Sequence, residues 1–291
     1  MKDKIRISGF ADEIDSDFQK QLKTVTDLGM HYISLRSANG KNIADYTAKE
    51  AESELLPVLQ KYGVDVSSLG SPIGKISIDD EDAFAKQSSQ LEELCRIAKV
   101  LDCRYIRIFS FFMPKGKNPD DYREQVHTRM EKWVETARAQ GEILLHENEK
   151  EIYGDTGARC LELLKFFDSP TLRAAFDFAN FVQCKEDPEE CWNLLQPYIE
   201  YIHIKDAVYE NNENVVCGTG DGKVEKLLRR AIVDEGYEGF LTLEPHLVLF
   251  DSLSSLEQKD AKEVIKKNKA SNGAEGYTMQ YRALCDILSR I

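Results

Sequence analysis

Eight short apolar runs, each followed by a longer stretch of helical periodicity, constrain the fold of this chain more than any other feature of its sequence. The apolar runs are Ile5–Ala11, Tyr32–Arg36, Val64–Leu69, Tyr105–Ser110, Ile143–Glu147, Leu172–Asp177, Tyr201–Lys205 and Phe240–Glu244. Amphipathic patterns occupy 16–28, 48–62, 82–101, 120–139, 156–167, 188–195, 223–235 and 277–290. Several of these helices close on a turn glycine just before a strand, as in Leu28-Gly29, Tyr62-Gly63 and Glu235-Gly236. Strict β–α alternation demands a parallel sheet covered by helices. Eight such units in 291 residues predict a (β/α)8 TIM barrel, a single domain over 1–291. No GxGxxG follows the first run, which argues against an open dinucleotide-binding sheet.

One stretch breaks the rhythm. Residues 247–275 separate the eighth strand from the last helix and are too long for an ordinary β–α connection. The stretch opens apolar (LVLFDSL) and turns lysine-rich (KDAKEVIKKNKAS). It reads either as a solvated, partly helical insertion or as a lid or subunit contact over the barrel mouth. Its LVLF start is the candidate contact of a homodimer.

Charge and cysteine content narrow the functional classes. With 38 Lys+Arg against 51 Asp+Glu, the net charge is −13, a poor match to a nucleic acid, whose phosphates need clustered basic residues. No segment approaches the ~20 apolar residues of a membrane helix, and MKDKIRISGF runs directly into a strand, so no signal peptide is expected. Seven scattered cysteines, without CxxC or CxxH spacing, predict reduced thiols and a cytoplasmic protein.

In a TIM barrel the chemistry lies at the carboxyl ends of the strands. Four consecutive strands end in a metal-capable residue: Glu147 in ILLHENE, Asp177 in LRAAFDFAN, His203 in YIHIKD and Glu244 in FLTLEPH, separated by 30, 26 and 41 residues. They are either unrelated polar strand ends or one site. Three carboxylates crowded together without a cation would be forced to take up protons. With an imidazole, they suit one divalent metal ion such as Mn²⁺, Mg²⁺, Co²⁺ or Zn²⁺. Alternate residues of a strand face opposite sides. If Glu147 points inward, His146 points toward the helices, while Lys205 shares the side of His203 and is placed to reach a substrate oxygen. His246 has the parity of Glu244 but lies past Pro245, where it either contacts substrate or caps the loop. His31 and His127 fall toward the opposite end and are expected at the surface.

Other polar strand ends are candidate substrate contacts: Arg36, Ser71 and Lys75 of SPIGK, and Arg107 and Ser110 of YIRIFSF. A buried arginine must be paired or face an anion. Arg36 and Arg107 therefore bind sugar hydroxyls, a carboxylate or a phosphate, or pair with the barrel's own carboxylates. The CGTGDG segment lacks GKST and reads as a tight turn, not a P-loop.

HENE, FDFAN, YIHIKD and LTLEPH, in this order and after a GFADEI start, resemble the xylose isomerase-like TIM-barrel superfamily of sugar isomerases and epimerases, with its dehydratase and AP-endonuclease relatives. The resemblance implies a metal held by Glu147, Asp177, His203 and Glu244. It also implies that Glu147 and Glu244 are the acid/base pair moving a proton through an enediolate of a small sugar. The surrounding shell departs from the epimerase pattern: Asn180 stands where a histidine is common, Tyr153 for a glutamate and Tyr209 for an arginine. Asn180 joins the candidate substrate contacts. The extra histidine and aspartate ligands of the endonucleases are missing, so DNA cleavage is not expected. A metal-dependent isomerase or epimerase leads. An inosose-dehydratase-type lyase and a non-catalytic sugar-binding barrel are the alternatives.

Overall fold

The computed structural model describes residues 4–250, 265 and 267–291. All eight apolar runs form strands of one parallel sheet: β1 Arg6–Gly9, β2 Tyr32–Leu35, β3 Asp65–Leu69, β4 Tyr105–Ile108, β5 Ile143–Glu147, β6 Leu172–Asp177, β7 Ile199–Ile204 and β8 Phe240–Leu243. Their spatial order is β1-β8-β7-β6-β5-β4-β3-β2. A single parallel bridge between Phe10 and Ser34 draws β1 to β2 and nearly closes the cylinder. The chain is a (β/α)8 TIM barrel, as the alternation requires.

The outer helices begin where the sequence offers a side-chain cap. Asp17 accepts from the amides of Gln19 and Lys20 to start α1 (Phe18–Asp27). Thr47 and Glu50 form a reciprocal capping box at the start of α2, which runs through Ala48–Glu50, a π turn Ala51–Leu55 and Leu56–Tyr62. Pro57 lies at the start of that last segment; it has no amide to donate to the preceding turn, a common cause of such widening. Asp80 caps α3 (Glu81–Val100), and Thr156 caps α5 (Gly157–Phe167). Between them lies α4 (Arg123–Gln140). Asp187 caps α6 (Pro188–Leu195), α7 (Val224–Arg229) widens into a π turn at Arg230–Asp234, and Asn272 caps α8 (Gly273–Arg290).

Two layers of apolar packing result. The main one lies between sheet and helices and includes Ile33, Leu91, Ile106, Trp133, Phe176, Trp192, Ile202 and Leu241. A smaller one fills the barrel interior with Ile143, Leu145, Ala175, Tyr201 and Phe240. Above it the Tyr201 hydroxyl accepts from Thr242 at 2.6 Å and Ser68 at 3.0 Å. These hydroxyls separate the apolar floor from the charged layer at the strands' carboxyl ends.

Two expectations, the exposure of His127 and the start of the last helix, need correction. His127 is buried in α4, stacked on Phe166 at 3.7 Å, with Nε2 2.8 Å from Glu162. Helical phase, not position along the unit, turned it inward. The LVLF run, read as a candidate dimer contact, is divided: Leu247 and Val248 are buried beside Gly276 of α8, Phe250 is half-buried and Leu249 is exposed. The last helix starts at Gly273, four residues before its apolar pattern, because Asn272 supplies the cap. Most of the 247–275 insertion, residues 251–264 and 266, lies outside the described residues. Among the described residues no helix is long and apolar enough to cross a membrane.

Candidate metal centre

Strand parity and register bring four side chains to one point. Asp177 and His203 are direct partners across β6 and β7, Glu147 pairs with Ala175, and His203 with Thr242, two residues before Glu244. Inward-facing Glu147, Asp177, His203 and Glu244 each offer a ligand atom, all within 4.8 Å of one another, and all four are buried. His203 Nδ1 lies 3.1 Å from Glu147 Oε1, 3.4 Å from Glu244 Oε2 and 4.0 Å from Asp177 Oδ2. Lys205 enters from the same side of β7, 3.1 Å from Asp177 Oδ2 and 3.4 Å from Glu244 Oε2.

The electrostatics of the cluster are set by burial and by the charges its members hold on one another. Burial, with Glu147 and Glu244 alongside, pushes the Asp177 carboxyl up to about 7 against the opposing pull of Lys205. Burial works against charge on His203 as well, yet Glu147 and Glu244 outweigh it and raise the imidazole to about 9. Burial also disfavours the charge on Glu147, but His203 and Arg107 keep its carboxyl below the usual range. Asp177 Oδ2 and His203 Nδ1 are buried in ion-pair contacts, to Lys205 and Glu147, that fall outside hydrogen-bonding geometry, so each gains from a better-placed partner. A divalent cation would satisfy both atoms and neutralise the carboxylates, so the residues present fit one.

Flanking amides hold the cluster. Asn148, the residue after Glu147, pairs with the backbone of Asp177: Nδ2 donates to its carbonyl and Oδ1 accepts from its amide, both at 3.0 Å. Asp177 in turn caps a short helix, Phe178–Gln183, by accepting from the Asn180 amide at 2.8 Å. That turn delivers Asn180 Nδ2 to Glu147 Oε1 at 3.2 Å and the Asn148 carbonyl at 2.8 Å. Tyr153 and Tyr209 point elsewhere. Tyr153 donates to Glu162 and accepts from Arg123, and Tyr209 donates to the Glu186 carbonyl.

The remaining candidates are brought near the mouth but are largely committed to protein partners. Arg36 binds Asp12, Glu13 and Glu244. Arg107 binds Glu147 at 3.0 Å. Ser71 Oγ donates to the Arg107 carbonyl. At the rim, Lys75 pairs with Glu149 at 2.9 Å over the Phe109 ring. His246 has a left-handed backbone, donates its amide to Glu13 Oε2 at 2.7 Å, and leaves Nε2 unpartnered 3.5 Å from Glu13 and 3.6 Å from Glu244. Glu13, Glu244 and His246 form a second group of ligand type, but Arg36 donates to both of its carboxylates and already supplies the positive charge there. His146 faces outward as parity requires: its Nε2 meets Ser110 at 2.9 Å, and burial lowers it to about 4, keeping it neutral.

Sequence reasoning missed Asp12 and Glu13, on the turn Ala11–Glu13 just beyond β1, although the same strand-end logic reaches them. It also missed Asp206, the residue after Lys205. Its two oxygens accept the amides of Ala207, Gly218, Gly220 and Gly222, each at 2.9 Å. A Cβ at Gly220 or Gly222 would come within 2.6 Å of that carboxylate, so CGTGDG is glycine-rich because it wraps Asp206.

The fold and site are thus those of a parallel-strand barrel with a buried three-carboxylate, one-histidine cluster at the carboxyl end of its strands. The chain belongs to the xylose isomerase-like TIM barrel family, whose model matches residues 22–267. An inosose dehydratase of Lacticaseibacillus casei is 26% identical over 151 residues, 46% of this chain and 51% of that protein, so the match spans about half of that relative. A 3-dehydroshikimate dehydratase of Bacillus anthracis is 24% identical over 218 residues, 70% of this chain and 76% of that protein. Among solved structures, D-allulose 3-epimerase from Methylomonas sp. in complex with D-allulose superposes with a TM-score of 0.72 at 16% identity, covering 99% of this chain and 97% of that one.

Proposed function

We propose that this protein is a metal-dependent isomerase or epimerase of a small sugar or sugar derivative, moving a proton at the carbon beside a carbonyl. The observation that carries this reading is the convergence of Glu147, Asp177, His203 and Glu244 within 4.8 Å at the carboxyl end of the barrel. Three carboxylates and one imidazole suit Mn²⁺, Mg²⁺, Co²⁺ or Zn²⁺, and Asp177 Oδ2 and His203 Nδ1, held only by ion-pair contacts outside hydrogen-bonding geometry, are atoms that such an ion would take up. When bound, a divalent cation supplies the Lewis acidity that makes a C–H next to a carbonyl more acidic.

The chain's own residues then divide the work. Glu147 on β5 and Glu244 beyond β8 are separated in the sheet by β6 and β7, so they approach a sugar from different directions; one takes the proton and the other returns it. Lys205, buried at the centre, presents its ammonium to a substrate oxygen. Asn180 holds the inner oxygen of Glu147 in place and lies where a sugar hydroxyl would pass. Lys75, with Ser71 behind it, and His246 border the entrance. The unpaired cysteines support a cytoplasmic setting. A second reading, dehydration, is favoured by the two dehydratase relatives and by Lys205, a proton donor for a departing hydroxyl.

The test is incubation of the metal-loaded protein with a panel of ketoses and inososes in deuterated water. Isomerase or epimerase chemistry gives deuterium at the carbon beside the carbonyl, read by NMR, whereas dehydration gives an ultraviolet-absorbing enone. Glu244→Gln should lower either rate by at least about 100-fold with circular dichroism unchanged. Full activity in that variant, or neither product from any sugar, would overturn the reading, the latter in favour of a sugar-binding barrel.

A further inference from the structure

The two glutamates of the centre share one arrangement: each turns one oxygen inward and gives the other to a buried arginine. Glu147 Oε1 faces His203 at 3.1 Å, while Oε2 accepts from Arg107 Nη1 at 3.0 Å. Glu244 Oε2 faces His203 and Lys205, each at 3.4 Å, while Oε1 accepts from Arg36 Nη1 at 3.0 Å. Both arginine side chains are almost wholly inaccessible, at 0% and 3% exposure.

Each guanidinium is itself clamped. Arg36 donates Nε to both oxygens of Asp12, at 2.8 and 3.1 Å, and Nη2 to Glu13 at 3.3 Å. Arg107 donates Nε and Nη2 to the carbonyls of Ser71 and Gly70, both at 3.3 Å. The two planar groups rest on the same Phe10 ring, 4.5 and 4.8 Å from its centroid, and that ring meets His203 edge-on at 5.2 Å. Donors engaged in this way are not free for a sugar or its phosphate.

We propose that Arg36 and Arg107 are positioning residues of the metal centre, fixing Glu147 and Glu244 by their outer oxygens so that each presents a single oxygen inward. This rests on the metal reading above. A carboxylate with both oxygens free can turn and offer either or both. A guanidinium whose remaining donors are clamped elsewhere aims one N–H at the outer oxygen and so fixes its orientation, whereas a lysine supplies the same charge without that rigid plane. The two contributions of arginine oppose each other. Its positive charge disfavours a nearby cation, and its clamped, directed N–H favours one by ordering the ligand. The sign of the effect of removal therefore separates a positioning role from simple charge balance.

The experiment compares Mn²⁺ affinity and the visible spectrum of the Co²⁺-loaded protein for wild type, Arg107→Gln and Arg107→Lys, with Arg36→Lys as a further variant. Thermal unfolding and circular dichroism verify folding. If the arginines position the ligands, Mn²⁺ binding weakens roughly 10- to 100-fold in both Arg107 variants, including the one that keeps the charge. The Co²⁺ bands then change in intensity as coordination changes. If Arg107→Gln does not fold, the two lysine variants carry the same comparison. Unchanged or tighter Mn²⁺ binding with an unaltered Co²⁺ spectrum in the folded variants would overturn the proposal while leaving the metal site standing. A wild-type protein that binds neither ion would overturn the metal reading and this proposal together.

Discussion

At the scale of single residues, the centre is held by groups that cost free energy until something binds them. His203 Nδ1 and Asp177 Oδ2 are buried in ion-pair contacts that fall outside hydrogen-bonding geometry, and three carboxylates face one another there. A protein tolerates this where a bound cation repays it. His203→Ala should therefore reduce divalent-metal affinity by more than roughly 100-fold, since losing a direct ligand exceeds the loss from a supporting residue. Equilibrium dialysis with Mn²⁺ reads this directly, and undiminished binding would remove His203 from the site. Position in sequence identified all four candidate ligands, because each ends an inward strand at the same height. It did not identify Asn148, Glu13 or the carboxylate partners of Arg36. Their roles depend on contacts between residues as many as 233 positions apart, as for Glu13 and His246.

At the scale of elements, the segment after β7 shows how one side chain organises a loop. Asp206 gathers four amides, and CGTGDG folds around it only because Gly220 and Gly222 leave room for its oxygens. The loop is thus anchored one residue from Lys205 and three from His203. Replacing Asp206 by Ala would strand those amides and should destabilise the fold by roughly 3 kcal/mol, on the order of 10 °C in Tm. Asp206→Asn, which keeps one acceptor oxygen, should fall between. Calorimetry on the two variants checks the order, and equal melting temperatures across the series would show that the loop is held otherwise. Helix and strand boundaries were legible to within a few residues because period and caps are local signals. The two-residue hairpins Ser37–Ala38 with Lys41–Asn42 and Asp206–Ala207 with Asn214–Val215, and the short helix Phe178–Gln183, were not. None is long enough to display a period.

At the scale of the whole molecule, burial extends well beyond the centre and sets the response to alkali. Burial pushes the thiols of Cys95, Cys103 and Cys217 up to about 12, and raises the phenols of Tyr201, Tyr237 and Tyr277 as well. In the unfolded chain these thiols ionise near pH 9, so above that pH the unfolded state releases protons that the folded state retains. The thiol contribution is complete below about pH 9 and is lost as pH rises toward 12, by about 1.4 kcal/mol per thiol per pH unit. The urea midpoint should fall steadily between about pH 9 and 10.5, and a flat profile would contradict the burial of these groups. Composition alone showed seven cysteines without a pairing pattern, and the fold shows that five of them are buried. The sequence by itself determined the barrel, because eight alternating periods admit one parallel architecture, and it determined the four inward strand ends, because parity is a local property. Only the tertiary structure decided what surrounds them. Which carboxylate faces which arginine, where Asn180 donates and how the shared Phe10 platform sits depend on closing the cylinder, which sets β1 between β8 and β2 and brings residues from opposite ends of the chain into contact.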